Sequence, residues 1–231
     1  MSDEESLSER IERFRSEGGG EPLNADAKRA FADALREILE ELDATAAPPE
    51  AFEADTVRLR ELASEFRKFP PSPRASGLGA VTGMETFHDR SPVVGLTNPL
   101  APPARYEHHP DEQCVRGEVE FGKAFEGAPG IVHGGFLAAL LDEVLGVVTS
   151  YSGDPGMTRE YTLRYHRPTH IKAPLRFEAR FDRREGRKIF VSAQLWEGDT
   201  LTVTASALFI AVDMSRFEDL QAQRDERIGE D

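Results

Sequence analysis

The stretch from Phe125 to Gly146 constrains the fold more than any other part of this chain. A turn rich in glycine and proline (Gly127, Pro129, Gly130) leads through His133-Gly134-Gly135 into a segment apolar on nearly every side, and that segment carries two adjacent carboxylates, Asp142 and Glu143. A helix that is hydrophobic all round must be covered on all sides. An ionised carboxylate among apolar neighbours is costly unless it is paired, hydrogen-bonded or shifted in pKa, so acids kept there usually have a chemical task. The stretch reads as the active-site helix of a hydrolase.

The cover for this helix comes from the residues C-terminal to it. Four segments there, 158–166, 175–183, 188–196 and 201–212, are dense in β-branched and aromatic residues, and Glu185-Gly186 and Gly198-Asp199 sit where tight hairpin turns would join the last three into an antiparallel meander. Two shorter strands, around 106–109 and 115–121, precede the turn. The fold class is therefore α+β, a long central helix against an antiparallel sheet, with a second subunit as the natural cover for the helix's other side.

The remainder divides by composition. Residues 1–21 hold 7 acids against 3 bases and end in Gly18-Gly19-Gly20, which predicts a flexible acidic tail. Residues 213–231, again 7 against 3, predict another. Between them lie a helical hairpin over 22–70, a Pro/Gly-rich loop over 71–100 and a folded domain over 101–212. In the hairpin, Asn24 or Asp26 is available as a cap. Ala27, Phe31, Ala34, Leu35, Ile38 and Leu42 form one candidate apolar stripe, and Phe52, Leu59, Leu62, Phe66 and Phe69 the other.

A net charge of -14 argues against nucleic acid and anionic membranes as partners. No stretch reads as a bilayer span and the N-terminus does not read as a secretory signal. The single cysteine, Cys114, suits a reducing compartment, so a cytoplasmic address is expected. Cys114 lies in a strand-like run and is expected to be buried rather than nucleophilic. The His108-His109 pair and the His166/His170 pair lack metal-ligand spacing, and no metal or cofactor is expected. From Arg159 to Lys188, ten Lys or Arg face four acids, a local cationic patch compatible with a small anionic ligand.

On the helix, Gly135, Ala138, Ala139, Asp142 and Gly146 share one face, lined by small side chains around one carboxylate. Backbone N–H groups at Gly134 and Gly135, at the positive end of the helix dipole, would polarise a carbonyl oxygen as it gains charge. Asp142 lies two turns on, roughly 10 Å along the axis, so both groups reach one carbonyl more easily across a dimer interface than within one helix. Glu143 points about 100° away. His133 is open to an acid, a base or a capping role.

The ordered series Glu126 to Gly135, then Asp142, Gly156-Met157-Thr158 and Tyr165-His166-Arg167-Pro168, resembles the hotdog-fold acyl-CoA thioesterases, in particular the PaaI-like branch and the carboxyl-terminal-modulator type. Residues 185–192 and 207–210 resemble that branch too, and the likeness covers roughly 97–212. The resemblance implies a hotdog fold with the helical hairpin as an N-terminal extension, and hydrolysis of acyl-CoA thioesters by a homodimer or homotetramer. It implies Asp142 as general base or nucleophile and Thr158 placing the water, both from one subunit. Gly135 would donate its N–H to the thioester oxygen, with His133 in support, from the other. Gly134, Phe136, Arg159 and Arg167 are substrate-binding candidates, and Arg164, Lys172, Arg184 and Lys188 are further candidates for the coenzyme's phosphates. The chain departs from some relatives at Gly127, where those carry Asn. Rival readings are a hotdog dehydratase or hydratase, and a non-catalytic acyl-CoA-binding or partner-binding protein.

Overall fold

The computed structural model describes residues 25–69, 89–154 and 156–212; the two acidic tails, Asn24 and the first part of the 71–100 loop lie outside them. Two helices, α1 (Ala25–Ala44) and α2 (Pro49–Phe66), precede a domain of six strands and one long helix: β1 (Arg105–His109), β2 (Cys114–Val119), α3 (Gly134–Val148), β3 (Gly156–Tyr165), β4 (Leu175–Glu185), β5 (Lys188–Glu197) and β6 (Thr200–Ala211). The strands form one antiparallel sheet in the order β1-β2-β4-β5-β6-β3. β2 and β3 are sequence neighbours on either side of α3, yet they stand four places apart in the sheet, and α3 packs across the strands between them.

That crossing makes the core. Leu137, Leu140, Leu141, Val144, Leu145, Val147 and Val148 of α3 are buried in one cluster with Phe177, Ile189, Val191, Leu195, Val203 and Phe209 of the sheet. Each such aliphatic side chain contributes roughly 1.5–3 kcal/mol by leaving water. By length and composition Gly134–Ser152 reaches what a bilayer span needs, contrary to the expectation that no stretch would; in this fold its apolar side lies within the sheet. The expected α+β architecture with N-terminal helices is what the chain adopts, and Gly186-Arg187 and Gly198-Asp199 close the two hairpins.

The N-terminal helices depart from the hydrophobic pattern. α1 turns Ala25, Arg29, Ala32, Arg36 and Glu40 toward the domain, and Phe31, Ile38 and Leu42 of its predicted buried stripe are exposed. Arg36 donates to the carbonyls of Gly95, Leu96, Asn98 and Ala101 at 2.8–3.1 Å, and Arg29 pairs with buried Asp89 at 3.4 Å. α2 buries no residue, and Phe52, Leu59, Leu62, Phe66 and Phe69 are all exposed, Phe66 meeting Phe31 edge to face at 5.2 Å. Polar bonds to loop carbonyls, which no periodicity records, decided which side of α1 docks. Asp26 sits inside the first turn rather than at the cap.

Candidate active site on the central helix

The turn before α3 is pinned from both sides. Gly127 N–H donates to Ile131 O at 2.8 Å, Glu126 accepts from Gly130 N–H, His133 N–H donates to Phe125 O at 2.9 Å and Val132 N–H to Thr169 O at 2.9 Å. His133 is then the N-cap: its backbone is extended and its Nδ1 accepts from Gly135 N–H at 3.0 Å. An imidazole accepting at Nδ1 carries its proton on Nε2. Of the two amides expected to be available to a substrate, Gly135 is thus engaged by His133, while Gly134 N–H donates to no partner among the described residues. A side chain at Gly127 would press on His133, its Cβ falling 2.9 Å from His133 Cα, which fits the absence of Asn there.

Asp142 is half-buried on a face of α3 that the sheet covers only in part, the face of Gly135, Ala138, Ala139 and Gly146. Burial pushes its carboxyl above the usual Asp range, the neighbouring Glu143 charge adds to this, and a hydrogen bond from Thr158 Oγ1 at 3.1 Å opposes it. The net effect is a stronger base than an exposed Asp.

Strand alternation alone would place Thr158 and Tyr161 on opposite faces of β3. A bulge between Thr158 and Glu160 leaves Arg159 unpaired and restores both to the inner side. β3 consequently touches α3 through three side chains, spaced three and then four residues apart: Thr158 on Asp142, Tyr161 Oη on Ala138 O at 2.8 Å, and Tyr165 Oη on Gly134 O at 2.9 Å. Neither tyrosine was expected as a site residue from the sequence, although their i, i+4 spacing beside Thr158 carried a signal. Burial holds the Tyr161 phenol well above the ordinary range, so it stays a donor.

Glu143 lies on the other flank, beside Tyr106, whose phenol is raised by burial and by that carboxylate. Phe136 is part-exposed and packs edge to face on Phe125 at 5.0 Å and near His133 at 6.1 Å, which places an aromatic wall at the helix start. Arg159, Arg164, Arg167 and Lys188 are exposed. Arg184 instead holds the loop after α3, donating to Ser152 O at 2.7 Å and pairing with Asp154, and Lys172 faces Glu40 of α1 at 3.9 Å. Cys114 is buried. His108 meets Tyr151, His166 meets Thr204 and His170 meets Glu197, and the described residues hold no three-residue metal cluster.

A family model described as the thioesterase superfamily matches residues 129–204, which include His133, Gly134, Gly135, Asp142 and Thr158. A crystal structure of a thioesterase superfamily protein is 32% identical with a TM-score of 0.71, covering 79% of this chain and 90% of that one. Among curated proteins, the acyl-coenzyme A thioesterase THEM4 of Bos taurus is 34% identical over 45% of this chain and 43% of its own length. THEM5 of Mus musculus, also an acyl-coenzyme A thioesterase, is 26% identical over 64% of this chain and 61% of its own. The alignments thus span less than two thirds of these curated relatives.

Proposed function

Because this chain belongs to the thioesterase superfamily, we propose that it hydrolyses acyl-CoA thioesters at a site shared between two copies of itself. The observation that carries the reading is the Thr158 hydroxyl donating to the half-buried Asp142 carboxylate on the part-exposed, small-residue face of α3. A carboxylate with a raised pKa takes the proton from an attacking water, or itself attacks the carbonyl carbon; Thr158 fixes its orientation in either route. The tetrahedral intermediate then collapses with cleavage of the C–S bond and departure of the CoA thiolate, which needs no strong acid; in the direct route water then hydrolyses the acyl–Asp142 anhydride, releasing the acid and restoring the carboxylate.

The carbonyl oxygen is held at the N-terminus of a helix. Gly134 N–H is available, and Gly135 N–H joins it when the oxygen displaces His133 Nδ1, leaving the imidazole to donate from Nε2. Asp142 and that N-terminus are two turns apart on one helix, too far to meet at one carbonyl. A second subunit facing the first brings the partner's helix start to Asp142 and covers the exposed face of α3. The exposed Arg159, Arg164 and Arg167 suit the coenzyme's phosphates.

Free-thiol release from acyl-CoA tests the activity, and mixing two dead variants tests the sharing. Asp142→Asn removes the base, and Gly135→Pro removes one N–H in a first turn that tolerates proline. Co-refolded at equal amounts, they restore about a quarter of the wild-type sites if each site draws on both subunits, because half the dimers are mixed and each mixed dimer has one intact site. Activity no greater than that of the separate variants excludes a shared site.

A further inference from the structure

The N-terminal helix α1 lies outside the segment that the family model matches, yet one of its side chains ends at the turn that leads to the site. Glu40 Oε2 accepts from Lys123 N–H at 2.8 Å and Oε1 from Ala124 N–H at 3.1 Å, so one carboxylate caps the 3-10 turn Lys123–Phe125. A Cβ on Gly122 would overlap that carboxylate, and the missing side chain is what allows the approach. Lys172, with a left-handed φ of 56°, donates its own N–H to Phe121 O at 2.8 Å and brings its ammonium to 3.9 Å from Glu40.

The 3-10 turn delivers Phe125, and Phe125 supports the site twice. Its carbonyl accepts from His133 N–H at 2.9 Å, and its ring lies edge to face against Phe136 at 5.0 Å, with Phe121 behind it at 5.5 Å. A continuous line of bonds therefore runs from Glu40 through the amides of Lys123 and Ala124 to Phe125, and from there to His133 and the first turn of α3. α1 is itself fixed by Arg36 and Arg29, at spacings of four and eleven residues from Glu40, on the same docking side.

We propose that Glu40 is a positioning residue for thioester hydrolysis, through which the N-terminal helix sets the His133-Gly134 turn that receives the carbonyl oxygen. The proposal rests on the role of that turn under the proposed function. A displaced turn leaves binding of the coenzyme end largely intact and misplaces the carbonyl, so the loss falls on kcat more than on KM.

The test uses the full chain with three variants and two readouts. Glu40→Ala should lower kcat about tenfold, a change of one decade in rate, with KM within about twofold. Glu40→Gln keeps one acceptor and should fall between it and wild type, and Gly122→Ala, which displaces the carboxylate without altering charge, should reproduce Glu40→Ala. Amide hydrogen exchange, which needs no turnover, should quicken in Glu40→Ala at Lys123, Ala124 and also His133. Exchange quickened only at Lys123 and Ala124, with His133 as in wild type, overturns the proposal, as does an unchanged kcat. A wild-type chain that releases no thiol refutes the functional reading instead, and the exchange at His133 then still decides whether Glu40 controls the turn.

Discussion

The central helix and the N-terminal helix place their charges in opposite circumstances. α3 lies in the fold by its apolar residues and carries Asp142 as a cost, with burial holding the carboxyl above its ordinary pKa. α1 docks by its charges, Arg29, Arg36 and Glu40, and leaves Phe31, Ile38 and Leu42 exposed. Removing a charge should therefore raise stability in one region and lower it in the other. The difference separates a group retained for chemistry from groups retained for attachment.

The largest effect is expected at Asp142. Asp142→Asn should reduce thiol release by about 10²- to 10⁴-fold, the usual span for a lost general base. Its stability should move the other way. A folded-state pKa above the unfolded value means that stability is lost as pH rises through the folded pKa, so at neutral pH the wild type bears a cost that the amide does not. Urea midpoints should thus favour Asp142→Asn at pH 7 and converge below about pH 4, where the unfolded carboxyl is protonated as well. A variant less stable than wild type at pH 7 would mean that the Thr158 hydrogen bond outweighs the burial of the charge.

Leu140→Ala addresses the apolar side of the same helix. Leu140 is fully buried under the sheet, and a cavity there should cost about 2–5 kcal/mol by denaturant unfolding. A cost under about 1 kcal/mol would show that the core collapses around the gap.

The forces that hold each of these two regions determine how much of it was legible in the sequence. α3 and the meander were readable because hydrophobic period and turn chemistry are local, and the apolar segment after the His133-Gly134-Gly135 turn is the helix Gly134–Val148. Asp142 stood out because a carboxylate in an apolar run is conspicuous. The Thr158 side needed the bulge at Arg159, a ladder irregularity that leaves no compositional mark, and the engagement of Gly135 N–H by His133 depends on a rotamer. Glu40 was invisible because its partners lie 83 and 84 positions away and are backbone amides, which every residue but proline presents alike.

The N-terminal region can be divided by a final pair of substitutions. Arg36 is mostly buried and donates to four loop carbonyls, so Arg36→Ala leaves those acceptors without their cation and should cost about 2 kcal/mol, on the scale of hydrogen bonds to charged groups. The loss should be accompanied by faster amide exchange across 95–101, where the guanidinium is bound. Leu62 on α2 belongs to an equally conspicuous sequence pattern, yet it is exposed on a helix that buries nothing, and Leu62→Ala should change stability by less than about 0.5 kcal/mol. Measured at low protein concentration, where no second copy covers α2, the two values rank attachment by polar bonds above attachment by apolar pattern. A larger loss for Leu62 than for Arg36 would reverse that ranking and return the N-terminal helices to the rule that governs α3.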